Sequence, residues 1–80
     1  MNNRICVVGI LVKNRKIATE INQILSDFGD IIVGRLGVPY REKKVSVIVL
    51  IIDGTTDQIG SLTGKLGQIK EVKVKSAILI

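Results

Sequence analysis

Val45 to Ile52, Val-Ser-Val-Ile-Val-Leu-Ile-Ile, is a run dominated by β-branched residues and closed by Asp53-Gly54. Such a run reads as a buried strand. Side chains alternate along a strand, so Val45, Val47, Val49 and Ile51 line one side while Ile48, Leu50 and Ile52 line the other. Both sides are apolar and both need cover. A second run of the same character, Ile5 to Val12, is interrupted sterically only by Gly9. It predicts another central strand, with Gly9 marking a bulge or a close approach by another backbone.

Between and after these runs the period changes. Asn14 is placed to cap a helix whose apolar stripe is Ile17, Ile21, Ile24, Leu25 and Phe28, with Gly29 as its stop. Residues 30–38 turn extended, with Gly34, Arg35 and Gly37 inside the segment and Pro39 after it. Glycines, a charge and a proline place that strand at a sheet edge or beside a site. Tyr40 to Lys44 is a polar hairpin connection. Thr55-Thr56-Asp57-Gln58 has the form of a capping box, and Ile59, Leu62, Leu66 and Ile69 give the second helix its stripe. The last strand, residues 71–78, sets Val72 and Val74 against Lys73 and Lys75, lysines that guard an edge.

The order is β-α-β-β-α-β, the split arrangement of an α+β ferredoxin-like sandwich. It has a four-stranded antiparallel sheet with the first and third strands central and both helices on one face. Residues 1–80 are read as a single domain. The other sheet face must meet water or a partner, and a half-solvated antiparallel sheet normally shows polar alternation that these central strands lack. Homo-oligomerisation through the open face follows, with Ile48, Leu50 and Ile52 as its expected residues. A lysine at Ile48 or Leu50 would then weaken the assembly.

Composition narrows the chemistry. The chain has no His, so an imidazole base or ligand does not exist, and its one Cys cannot form an internal disulfide or a paired-Cys metal site. No catalytic residue, metal site or cofactor is expected, and Cys6 is a core or interface residue in a reducing, cytoplasmic setting. Asp27, Asp30, Asp53 and Asp57 stand at element ends, where caps and turns already account for Asp. No apolar run reaches the length of a membrane span, and no signal peptide is evident. The net charge of +5 favours anionic partners weakly. Base stacking would need aromatics on the first and third strands, and neither has one. Direct DNA binding without a partner is not expected, since the chain carries no helix-turn-helix.

Two places suit a small ligand. Arg35, between Gly34 and Gly37, is well suited to a carboxylate, a phosphate or a partner subunit. Asn14 and Arg15, after the first strand, form a second anion-binding candidate. Gly60, Gly64 and Gly67 share one flank of the second helix, at a cost of about 1 kcal/mol each relative to Ala, and predict a tight helix or subunit contact there, the alternative being a small ligand against exposed backbone.

The segment Ile17-Ala18-Thr19-Glu20-Ile21-Asn22-Gln23-Ile24-Leu25, followed by Gly29 and the Ile-Ile-Val strand, resembles the middle of the ACT-type regulatory domain pattern. Gly34-Arg35-Leu36-Gly37-Val38-Pro39-Tyr40, Asp53-Gly54-Thr55 and Leu62-Thr63-Gly64-Lys65-Leu66-Gly67 resemble small stand-alone regulators of the iron-only hydrogenase system. The likeness spans nearly the whole chain. It implies an ACT-like homo-oligomer, related in fold to the C-terminal domain of nickel-responsive repressors, and a regulatory, non-enzymatic role with an unidentified small-molecule effector. The alternatives are a purely structural oligomerisation domain and a nucleic-acid-binding domain. The departures are the missing His of the nickel site, the missing DNA-binding segment, and Val12-Lys13-Asn14-Arg15 where amino-acid-binding relatives carry acidic and Pro-Gly features.

Overall fold

The computed structural model describes residues 3–80. The elements are β1 (Arg4–Val12), α1 (Ala18–Asp27), β2 (Ile32–Tyr40), β3 (Val45–Gly54), α2 (Thr56–Gly67) and β4 (Val72–Ile78). Short 3-10 turns cover Arg15–Ile17, Gly29–Ile31 and Arg41–Lys43. The sheet order is β2-β3-β1-β4, with every pairing antiparallel. The two most apolar strands therefore occupy the centre, as the βαββαβ reading requires.

Register turns this topology into rows of side chains. On the helix-covered face Cys6, Ile52 and Ile32 stand abreast, then Val8, Leu50 and Arg35, then Ile10, Ile48 and Gly37, then Val12, Ser46 and Pro39. Val72 and Val74 extend two of those rows onto β4. Over them lie Ile21 and Leu25 of α1, and Ile59, Leu62 and Leu66 of α2. Among the described residues no polar or charged side chain is buried, so the fold is held by aliphatic burial. Each such Leu or Ile contributes about 1.5–3 kcal/mol.

This geometry corrects the expected interface. Leu50 and Ile52 are fully buried beneath the helices, and Ile48 packs against the same core. The open face carries the other phase of β3, Val47, Val49 and Ile51, flanked by Val7 and Leu11 on β1 and by Leu36 and Val38 on β2. A lysine at Leu50 would disrupt the core directly, without acting through any subunit contact. Leu36 is 62% exposed and Ile51 45%, so the open face is apolar, with Lys73 and Lys75 along its β4 margin.

Several local expectations shift. Asn14 Oδ1 accepts from the Lys16 amide at 2.9 Å, but the turn it caps is the 3-10 turn, and α1 proper begins at Ala18. Gly29 opens the next 3-10 turn, and no described glycine adopts a positive φ, so the helix ends by tightening and not by a left-handed cap. The register shift lies between Ile32 and Gly34, and β1 runs through Gly9 without a bulge. β2 continues through Pro39 to Tyr40, which its edge position permits. Lys44 takes the left-handed conformation, φ 55°, that closes the hairpin.

The capping box of α2 is complete. Thr55 Oγ1 accepts from the Gln58 amide at 3.1 Å, and Gln58 Oε1 accepts from the Thr55 amide at 2.9 Å. Gly54 fits closely beneath it: a Cβ there would lie 3.0 Å from Gln58 Oε1 and 3.4 Å from Ile31 Cδ1, so the capping side chain would have to move. The glycines of α2 are different. Around Gly60, Gly64 and Gly67 a Cβ meets nothing within 4 Å, so the tight contact expected of them is not made within this chain.

These contrasts set opposite outcomes for the same substitution. Gly54→Ala should lower unfolding free energy by about 1–2 kcal/mol through the displaced capping side chain. Gly64→Ala should raise it by about 0.5–1 kcal/mol through helix propensity. Urea denaturation followed by circular dichroism measures both, and a stability loss at Gly64 would mean that its flank is occupied.

Candidate functional site

The helix cover is uneven. α2 packs against β4 and β1. Across the other half of the sheet, β2 presents Arg35, Gly37 and Pro39 toward α1, none of them a large aliphatic residue. The α1–β2 seam is therefore left partly unfilled. A cleft of about 310 Å³ opens there, lined by Val12, Arg15, Ala18, Ile21, Asn22, Arg35, Gly37, Val38, Pro39, Ser46 and Ile48.

Arg35 spans the seam. Its Nη2 donates to Asn22 Oδ1 on α1 at 3.2 Å, which leaves most of the guanidinium donors free. The pair separates the cleft from a shallower hollow lined by Asn22, Leu25, Ser26, Gly29, Ile32, Val33, Gly34 and Arg35.

At the other end of the cleft three strand ends meet in one row, Val12, Ser46 and Pro39. The loops leaving them enclose a pocket of about 420 Å³ lined by Lys13, Asn14, Arg15, Lys16, Arg41 and Lys44 together with Val12, Pro39, Val45 and Ser46. No carboxylate lines it. A backbone bond from the Lys13 amide to the Glu71 carbonyl, 2.9 Å, ties the β1 loop to the start of β4. The opposite end of the sheet gathers Asp27, Asp30, Asp53 and Asp57 at its turns, while Glu42 and Glu71 stand at the basic end outside the pocket lining.

The structure brings the two ligand candidates of the sequence together. Arg15 lines both the basic pocket and the cleft, Arg35 and Gly37 line the cleft, Asn14 lines the basic pocket, and Gly34 lies in the hollow beyond the Arg35 strap. What the sequence reading missed is the contribution of Lys13, Lys16, Arg41 and Lys44 to one concavity. The signal was present in the topology: in a βαββαβ sheet the β1–α1 loop and the β2–β3 hairpin emerge at the same end. Among the described residues no group of three or more His, Cys, Asp or Glu is placed to hold a metal ion. Among them, too, no helix is long and apolar enough to cross a membrane.

Comparison with solved structures first defines the class. The fold is shared with CPII from Thiomonas intermedia K12, a structure bound to ADP, AMP and acetate, at a TM-score of 0.55 and 13% identity over 100% of this chain and 93% of that one. At that identity the likeness is one of fold, the ferredoxin-like sandwich. The family model described as "TM1266-like: Iron-only hydrogenase system regulator, putative" matches residues 4–76, and the chain belongs to this family. The structure of the uncharacterized protein TM1266 from Thermotoga maritima is similar throughout, with a TM-score of 0.94 and 36% identity over 99% of this chain and 100% of that chain. No curated protein matches the chain.

The exposed position of the Arg35–Asn22 bond makes its structural value small. Arg35→Ala should change unfolding free energy by no more than about 0.5–1 kcal/mol. A larger loss in chemical denaturation would make Arg35 a structural residue and remove it from the candidate site.

Proposed function

We propose that this protein is a non-enzymatic, cytoplasmic regulatory module that self-associates through its open sheet face and senses a small effector in the α1–β2 cleft. The observation that carries this reading is the cleft itself. The chain encloses its aliphatic core closely beneath α2, yet leaves a hollow under α1 with Arg15 and Arg35 at its wall. Family membership among regulators of the iron-only hydrogenase system supports a regulatory role. The lack of an aromatic stacking surface on the central strands argues against direct nucleic-acid reading.

The arrangement also supplies a route from effector to assembly. Arg35 and Gly37 line the cleft, while Leu36 between them pairs with Val49 on the open face. An effector that repositions β2 against α1 therefore acts on the apolar surface through the alternate residue of the same strand. It shifts the assembly only by binding one arrangement more tightly than another.

A structural oligomerisation domain is the second reading, favoured by the apolar open face, which is present whether or not the cleft is occupied. Native mass spectrometry of gently isolated protein separates the two. A discrete oligomer carrying a removable mass, weakened in Arg35→Ala with assembly intact, supports the effector module; an oligomer without added mass supports the structural reading. Val49→Lys combined with Leu36→Lys should yield folded protein of monomer mass by light scattering. A folded double variant with the parent's mass would overturn association through this face.

A further inference from the structure

We propose that the ligand of this site is a small organic anion with a multiply charged head and an apolar body. The head sits in the basic pocket and the body in the adjoining cleft. The inference deepens the effector-site reading and rests on it.

The two cavities share Val12, Arg15, Pro39 and Ser46 in their walls, so they adjoin as two unlike halves of one site. The basic half is lined by Lys13, Arg15, Lys16, Arg41 and Lys44 without a carboxylate. Crowding like charges around a concavity raises their mutual repulsion, and a ligand of several negative charges offsets it where a neutral or cationic one does not. The arginines offer forked donors that suit phosphate and carboxylate oxygens alike, so a phosphate ester and a polycarboxylate share the required chemistry.

The cleft half has a different character. Val12, Ala18, Ile21, Pro39 and Ile48 supply apolar wall, and Gly37 adds no side chain to it. A Cβ at Gly37 would meet nothing within 4 Å, so no side chain of this protein occupies that space. A bare inorganic anion would leave this half unused. Its volume lies at the small end of the range for ligand pockets.

Nucleic acid fits the same charges less well. An extended polyanion needs cations along a track and aromatic faces for its bases. Here the cations ring a concavity, Phe28 lies at the far end of α1 beneath Lys65, and Tyr40 is the remaining aromatic residue.

Isothermal titration of the full chain at low ionic strength tests the proposal with four probes: phenyl phosphate, benzene-1,3,5-tricarboxylate, inorganic phosphate and a short single-stranded oligonucleotide. At least one ring-bearing anion should bind about tenfold more tightly than inorganic phosphate. Whichever ring-bearing anion is preferred identifies the head as phosphate or carboxylate. Arg15→Ala and Arg41→Ala should each weaken it about tenfold, while Lys73→Ala with Lys75→Ala, a larger loss of charge on the open face, should leave it within about twofold. Gly37→Ile should fold as judged by its melting curve, retain phosphate binding, and lose the advantage of the ring.

Equal affinity for phosphate and the ring-bearing anions would overturn the proposal. So would an equal loss in the Lys73/Lys75 variant, or tighter binding of the oligonucleotide with a steep salt dependence. A neutral or cationic compound recovered on the native protein would overturn this inference while leaving the effector module standing. Failure of all four probes, with no mass carried by the native protein, would remove both.

Discussion

Everything in this fold depends on covering the helix-facing side of the β1–β3 pair. Val8 and Leu50, abreast in the sheet, are completely buried under α1 and α2, and the rows on either side repeat the pattern with Cys6 and Ile52, then Ile10 and Ile48. With no buried polar side chain among the described residues, no ion pair or hydrogen-bonded network in the core fixes the register. Register comes instead from alternation, because a slip of one residue would turn the buried set to the open side. The capping box at Thr55 and Gln58 then aims α2 from the end of β3, over the compact turn that Gly54 allows.

The same dependence explains where the site lies. Apart from Cys6, Ser46 and Ser76, aliphatic side chains fill the rows on β1, β3 and β4, but the rows reach β2 as Ile32, Arg35, Gly37 and Pro39. Close packing therefore fails progressively along one edge strand, from the Gly29–Ile31 turn toward the β2–β3 hairpin. A helix can lie over that edge only by leaving space, and the Arg35–Asn22 bond spans the space without filling it. The cleft is thus a consequence of which residues β2 lacks. Its basic mouth is a consequence of topology, which delivers two charged loops to the same corner.

Much of this was legible from the chain. Two β-branched runs, two helical stripes and a guarded last strand sufficed for the strand order, and Arg35 with its neighbouring glycines was recognisable as unlike a packed edge. The faces were not legible. In β3 both phases are aliphatic, so Ile48, Leu50 and Ile52 read equally well as core or as interface, and only the register with β1 and the helices decides for the core. Helix ends escaped for a different reason. The 3-10 turns at Arg15–Ile17 and Gly29–Ile31 satisfy the terminal backbone groups locally, so the capping residues stand at tightened turns instead of at the α-helix boundaries. The α2 glycines show the limit of reasoning from cost alone, since their penalty is real but nothing within the chain compensates it.

The alternation that made the faces ambiguous also ties the cleft to the open face. β2 is an edge strand, paired on one side only, so its displacement breaks no second ladder. Residues in one phase, Arg35 and Gly37, belong to the cleft, and residues in the other, Leu36 and Val38, present their side chains beside Val49 and Val47 on the open face. A central strand hydrogen-bonded to a neighbour on each side could not shift in this way without breaking a second ladder. An edge strand with Arg35 and Gly37 at its cleft positions and aliphatics at its outer positions can, because the cleft and the open face are opposite sides of the same few peptide units. Coupling of this kind requires no path through the core, and it leaves the Val8–Leu50 packing undisturbed whichever arrangement β2 adopts.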